Sequence, residues 1–153
     1  LMIHDLEIIR ALVGSPIVGV DAVGVPVFSA TEDIANARLR FENGCVANIT
    51  ASRVSMDKMR KIRIFEPDAY MSTDYGEQEV RVYRKRPDAV DTGASPMEHI
   101  LIDSLPVERG EPLRRELADF LRCVRERARP LVDGEDATEA LRLAQEIINS
   151  IRR

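Results

Sequence analysis

The sequence predicts an α+β fold: a two-layer sandwich built on a largely antiparallel or mixed open sheet, with helices on one face. Three observations predict it. Apolar residues at helical spacing open and close the chain. Between them lie about seven short strand-like runs in succession, with no helical crossovers of the kind a parallel sheet needs. One hairpin also has a register that makes a whole sheet face apolar. At 153 residues the chain is the size of a single domain with a real core.

The first helix is read over Ile3 to Val13, from Leu6, Ile9 and Val13 with Ile8 and Leu12 beside them. Gly14 caps it, and Ser15-Pro16 opposes continuation. Ile17 to Phe28 is valine-rich and carries Gly19, Gly24 and Pro26, which predicts a strand with a bend. Ile34 to Phe41 and Cys45 to Val54 flank Glu42-Asn43-Gly44 and predict a hairpin. With a three-residue loop, Phe41 pairs with Cys45, Leu39 with Ala47, Ala37 with Ile49 and Ala35 with Ala51. One face is then wholly apolar, and the other collects Arg38, Arg40, Asn48, Thr50 and Ser52. A one-residue slip would mix the faces, so burial selects this loop, with Gly44 left-handed.

Further strands are expected at Lys61 to Phe65, Ala69 to Tyr75, Glu79 to Arg84 and about His99 to Val107. The polar stretch from Pro87 to Pro96 reads as a loop. Pro112 suits the first position of a second helix, striped by Leu113, Leu117, Phe120, Leu121 and Val124. Asp133 is placed to cap a last helix, striped by Ala137, Leu141, Ala144, Ile148 and Ile151.

Lys+Arg is 22 and Asp+Glu is 26, a net charge of −4. That balance argues against a nucleic-acid binder, which needs a basic face. The chain has no apolar run of the ~18 residues expected of a membrane span. Cys45 and Cys123 lack metal-ligand spacing and fall on faces expected to be buried. Two free thiols fit a cytoplasmic location. The chain opens on Leu1 and enters a helical pattern with no capping Ser, Thr or Asp before it, so it reads as part of something longer.

Few residues carry candidate chemistry. His4 sits in the first turn of a helix beside Asp5, with Glu7 one turn on. Histidine titrates near neutral pH and serves as acid or base when it faces a cleft; otherwise it is an exposed terminal residue. Arg53 lies just past the apolar face of the hairpin strand, where its planar fork can hold a phosphate or a hydroxyl-rich ligand, or simply reach solvent. The run Lys58, Arg60, Lys61 and Arg63 is a solvated strand face or an anion contact. His99 reads as a surface residue opening a strand. Neither GxGxxG nor GxxxxGK[ST] occurs, so the usual dinucleotide cradle is missing from this chain, and no metal site is read.

The segment MIHDLEIIRALVG resembles the start of the C-terminal domain in the glucose-fructose oxidoreductase / inositol dehydrogenase / rhizopine-catabolism (Gfo/Idh/MocA) family. That family's motif is Asp-x-x-x-His-Asp-x-Asp followed by a helix. His4-Asp5-Leu6-Glu7 matches its second half, with Glu7 in place of the usual Asp; the first Asp would fall one position before Leu1. Phe41-Glu42-Asn43-Gly44-Cys45 and Gly134-Glu135-Asp136-Ala137 also look like this family, so the resemblance covers essentially the whole chain.

The resemblance implies a fold like the C-terminal domain of dihydrodipicolinate reductase, paired in the family with an N-terminal Rossmann domain that binds NAD or NADP. It implies hydride transfer between the nicotinamide and a sugar or polyol carbon, with His4 as the acid/base. Asp5, beside His4, and Arg53, at the end of the hairpin strand, are the candidate substrate-binding residues. The resemblance also implies oligomers through the open sheet face. Ile34 to Tyr75 looks most like members acting on nucleotide sugars such as UDP-N-acetylglucosamine. Without the lysine of the first domain, the isolated chain is expected to be inactive. Two other readings stand beside this one: a free-standing, non-catalytic sheet domain that dimerises or binds a partner, and an unrelated α+β ligand-binding domain in which His4 is incidental.

Overall fold

The computed structural model describes residues 2–56, 59–86 and 99–152. The order of elements is α1 (Ile3–Val13), β1 (Ile17–Val25), β2 (Ile34–Phe41), β3 (Val46–Ser52), β4 (Lys61–Phe65), β5 (Ala69–Asp74), β6 (Glu79–Lys85), β7 (Ile100–Leu105), α2 (Pro112–Glu126) and α3 (Gly134–Ile151). The α+β class holds. The strands form two antiparallel sheets, β1-β2-β3 and β4-β5-β6-β7. The chain divides into two compact units, Leu1–Met56 with Asp119–Arg153 and Asp57–Ala118; the boundary falls within α2.

The first unit holds the larger core. Leu6 of α1, Ala37, Leu39 and Phe41 of β2, Ile49 of β3, and Leu143 and Ile147 of α3 form one buried cluster, flanked by Ile9, Val13, Val20 and Ile151. Burying each large aliphatic side chain stabilises by about 1.5–3 kcal/mol. The hairpin register is the expected one: Leu39 pairs with Ala47, Ala37 with Ile49 and Ala35 with Ala51. The Phe41 N–H donates to the Cys45 carbonyl at 2.9 Å, and Gly44 takes φ 86°, a left-handed conformation that favours glycine. Gly14, at φ 59°, ends α1 and returns its N–H to the Arg10 carbonyl. β1 ends at Val25, short of the expected Phe28, and its pairing with β2 shifts register between Ile17 and Gly19.

Three details differ from the sequence reading. In α3 the buried residues are Ala140, Leu143 and Ile147, while Ala137 and Leu141 are exposed. Both sets have helical spacing, and packing of α3 on β1 and α1 decides between them. Cys45 is exposed, because it belongs to the turn; its N–H is held by the Asn43 side chain at 3.0 Å, and residues 42–46 all face solvent. Cys123 is buried as expected. On α2 the apolar stripe is present, but all five of its members are exposed. The predicted cap of α3 is in place: Asp133 accepts from Glu135 N–H and Asp136 N–H, and the Asp136 side chain returns to the Asp133 N–H.

The second unit is an open sheet. Of its described hydrophobic residues only Val82 is fully buried. Phe65, Tyr70 and Tyr83 face one another across β4, β5 and β6, and their rings stack with centroids 4.9 Å apart. Lys61 pairs with Asp74 at 3.0 Å. The Gln78 amide donates to the Gly110 carbonyl and accepts from its N–H, at 2.8 and 2.9 Å. The stretch from Pro87 to Pro96, expected to be a loop, lies outside the described residues.

Candidate functional site

All three candidate site residues lie in the first unit. His4 stands in the first turn of α1, two residues before Leu6, which is fully buried. Helical geometry therefore anchors one side of this turn in the core and turns the imidazole outward. The His4 side chain is 83% exposed, with Nδ1 3.7 Å from Glu7 Oε2. That distance is too long for a hydrogen bond, but it sets a carboxylate beside the ring where an imidazolium would form. Asp5 is half-buried in the same turn, at the positive end of the helix dipole.

Arg53 follows β3 and is built into the loop that joins β1 to β2. Its Nε meets Asp33 Oδ1 at 2.6 Å. Its Nη2 reaches Thr31 Oγ1 at 2.8 Å, the Thr31 carbonyl at 3.1 Å and the Ser29 hydroxyl. Asp33 is buried and accepts three backbone N–H groups, from Val27, Phe28 and Ser29, at 2.6–2.9 Å. The N–H of Phe28 does most to hold the Asp33 carboxyl far below the ordinary carboxylate range; burial opposes it, and Arg53, Val27 and Ser29 reinforce it. The result is a loop clamped at one carboxylate. The sequence reading had Arg53 but missed Asp33. The available signal was the polar series Ser29, Thr31, Asp33 just ahead of a strand, the chemistry of side chains that bond their own backbone.

The basic run lies in the other unit. Lys61 is paired with Asp74, Arg60 and Arg63 are exposed, and Lys58 is outside the described residues. His99 is half-buried just before β7, where its carbonyl accepts the Arg86 N–H at 2.8 Å; it is not the surface residue expected. Its Nε2 is buried without a partner among the described residues. Among the described residues no group of three or more His, Cys, Asp or Glu side chains is arranged to hold a metal ion, and no helix is long and apolar enough to cross a membrane.

The family model for the C-terminal alpha/beta domain of the Gfo/Idh/MocA oxidoreductases matches residues 1–153. The chain belongs to this family. Among curated Gfo/Idh/MocA relatives it is 31% identical over 148 residues to the UDP-N-acetylglucosamine 3-dehydrogenase of Acidithiobacillus ferrooxidans, covering 96% of this chain and 46% of that protein. A solved structure of that dehydrogenase superposes with TM-score 0.87 at 30% identity, over 98% of this chain and 47% of the other. The aldose-aldose oxidoreductase of Caulobacter crescentus, complexed with glycerol, shares the fold at TM-score 0.75 and 23% identity, over 98% and 43%. So does the WlbA dehydrogenase of Bordetella pertussis, solved with NADH and UDP-GlcNAcA, at TM-score 0.67 and 21% identity, over 99% and 41%. The chain thus spans about half the length of the Gfo/Idh/MocA relatives it matches.

Proposed function

We propose that this chain is the substrate-binding and oligomerisation half of a cytoplasmic NAD(P)-dependent dehydrogenase acting on a sugar carried by a nucleotide. The observation that carries the reading is the 31% identity, over nearly the whole chain, to an enzyme whose substrate is UDP-N-acetylglucosamine. The exposed imidazole on a core-anchored helix turn supports it.

The sequence offers no glycine-rich phosphate cradle, so the dinucleotide is assigned to a Rossmann domain outside this chain. When bound there, the nicotinamide supplies hydride acceptance. This chain's part is the proton. With Nδ1 turned toward Glu7, His4 uses Nε2 to take the proton of the reacting hydroxyl, and Glu7 stabilises the imidazolium that results. Asp5 accepts a hydrogen bond from a neighbouring substrate hydroxyl. Arg53, with Nε and Nη2 committed to the loop, offers its Nη1 edge to a substrate phosphate.

The open face of β1-β2-β3 serves as a two-fold oligomer contact. Arg38, Asn48 and Thr50 lie on it, and Val23 and Val25 add exposed apolar area from β1.

The test uses the longer protein, with NAD or NADP and UDP-N-acetylglucosamine, following reduced nicotinamide. The reading predicts turnover of the nucleotide sugar well above that of free N-acetylglucosamine, and no turnover by residues 1–153 alone. Equal rates on the free sugar, or no oxidation of either, would sink it.

A further inference from the structure

Among the described residues Asp33 is the only buried charged side chain, and the proton chemistry assigned to His4 does not use it. Its two oxygens have different duties. Oδ2 accepts the backbone N–H groups of Val27, Phe28 and Ser29, which closes the loop between β1 and β2. Oδ1 faces side chains: it accepts from the Ser29 hydroxyl at 2.9 Å and from Arg53 Nε at 2.6 Å. A guanidinium carries its N–H donors in one plane. In Arg53 the Nε donor is held by Asp33, and Nη2 by Thr31 Oγ1, the Thr31 carbonyl and the Ser29 hydroxyl. Nη1 has no hydrogen-bond partner among the described residues, and the Arg53 side chain is 44% exposed. Fixing Nε and Nη2 fixes the plane, so the Nη1 donors point one way. All of these residues belong to the first compact unit.

We propose that Asp33 is a positioning residue: it aims the Arg53 guanidinium so that the Nη1 edge receives a phosphate of the substrate. The inference rests on the reading above, in which the substrate is a nucleotide sugar and Arg53 meets its phosphate. Two observations favour aiming over simple loop closure. The loop is already tied by backbone bonds, from the Asp33 N–H to the Val25 carbonyl at 2.9 Å and from the Arg53 N–H to the Asp33 carbonyl at 3.0 Å, so it does not need the guanidinium to close. The clamp also takes only the Nε and Nη2 side of the fork, and leaves to an anion the donors that make charge-assisted bonds. An unanchored arginine has many rotamers, and ordering such a side chain on binding costs about 2–12-fold in affinity. Here that ordering is done on folding, against a buried carboxylate that is itself held by three backbone N–H groups.

The test is a double-mutant cycle in the longer protein, read by calorimetry with UDP, which carries the phosphates without the reacting sugar. Asp33→Asn keeps an oxygen for the three backbone donors and turns an amide NH2, which cannot accept, toward Arg53. It should weaken UDP about five- to tenfold, and Arg53→Ala should weaken it at least as much. With Arg53→Ala already in place, Asp33→Asn should change UDP affinity by less than about twofold, because a residue that acts through another then has nothing to act on. In turnover, the KM for UDP-N-acetylglucosamine should rise more than kcat falls. Unchanged UDP affinity in Asp33→Asn, or an equal loss with and without Arg53, would overturn the proposal. Thr31→Val covers the case in which Asp33→Asn does not fold, since it removes an anchor of Nη2 from an exposed position. It should weaken UDP about two- to threefold, and only while Arg53 is present; no loss, or the same loss without Arg53, counts against the aiming role. Arg53→Ala by itself tests the underlying reading. If it binds UDP as tightly as the unsubstituted protein, that reading of Arg53 falls and the inference with it. If it binds UDP weakly while Asp33→Asn and Thr31→Val bind it normally, the reading stands and the inference alone falls.

Discussion

The two compact units solve the same problem with different means. In the first, two helices cover one face of a three-stranded sheet, and seven buried residues drawn from α1, β2, β3 and α3 close a core around Leu39. In the second, a four-stranded sheet has one buried hydrophobic residue among the described residues, Val82, and is tied across its strands by stacked rings, an ion pair and an amide clasp. The first offers a packed base of the kind that holds a functional group in place, and all three candidate site residues are found there. The difference teaches that cross-strand pairs can order a sheet whose described residues bury little apolar area of their own.

The sharpest way to break this comparison is to truncate each unit at its centre. Leu39→Ala removes a side chain with no solvent exposure and should lower stability by about 2–5 kcal/mol in urea titrations. The second unit should respond far less. Phe65→Ala removes one end of the aromatic ladder, from a largely exposed residue, and should cost about 0.5–1.5 kcal/mol. If the two losses were equal, the contrast between a packed core and a laddered sheet would fall.

Between these extremes stands the Asp33 clamp, which acid can probe. The carboxyl is held far below its ordinary range, chiefly by the Phe28 N–H. A depressed folded pKa contributes stability that is complete above the unfolded value, near ~4, and is lost as pH falls through the folded value. Asp33→Asn should therefore lower the urea midpoint at neutral pH. The gap to the unsubstituted protein should stay constant down to about pH 5 and narrow in stronger acid. A gap that ignores pH would mean that the carboxylate charge is not what holds the loop.

Much of the first unit was legible in the sequence because periodicity and burial agreed there. The hairpin register followed from the apolar face of Phe41, Leu39 and Ala37, and Gly14 and Gly44 sit where left-handed backbone was required. The buried side of α3 was read about one position off, since Ala140, Leu143 and Ile147 are as regularly spaced as Ala137, Leu141 and Ala144, and only the partner surface chooses. The link from Arg53 to Asp33 spans 20 positions and depends on a loop closing, which no local pattern encodes. The stripe on α2 was legible as a stripe, but what covers it is not written in the helix itself. Of the site, His4 was found by its place in a helix turn, and the geometry adds Glu7 at its Nδ1 side.

The central claim is that a proton leaves the substrate through His4, mounted on the packed unit. The most direct test is kcat of His4→Ala in the longer protein with its nucleotide sugar, measured together with dinucleotide affinity and the urea midpoint. Proton transfer by a placed side chain is worth about 10²–10⁴ in rate, so kcat should fall by roughly that factor. Affinity and midpoint should hold, because the imidazole is 83% exposed and packs against nothing in the core. Retention of most of the turnover, or a loss that tracks unfolding or release of the dinucleotide, would contradict the account and give the proton to another residue.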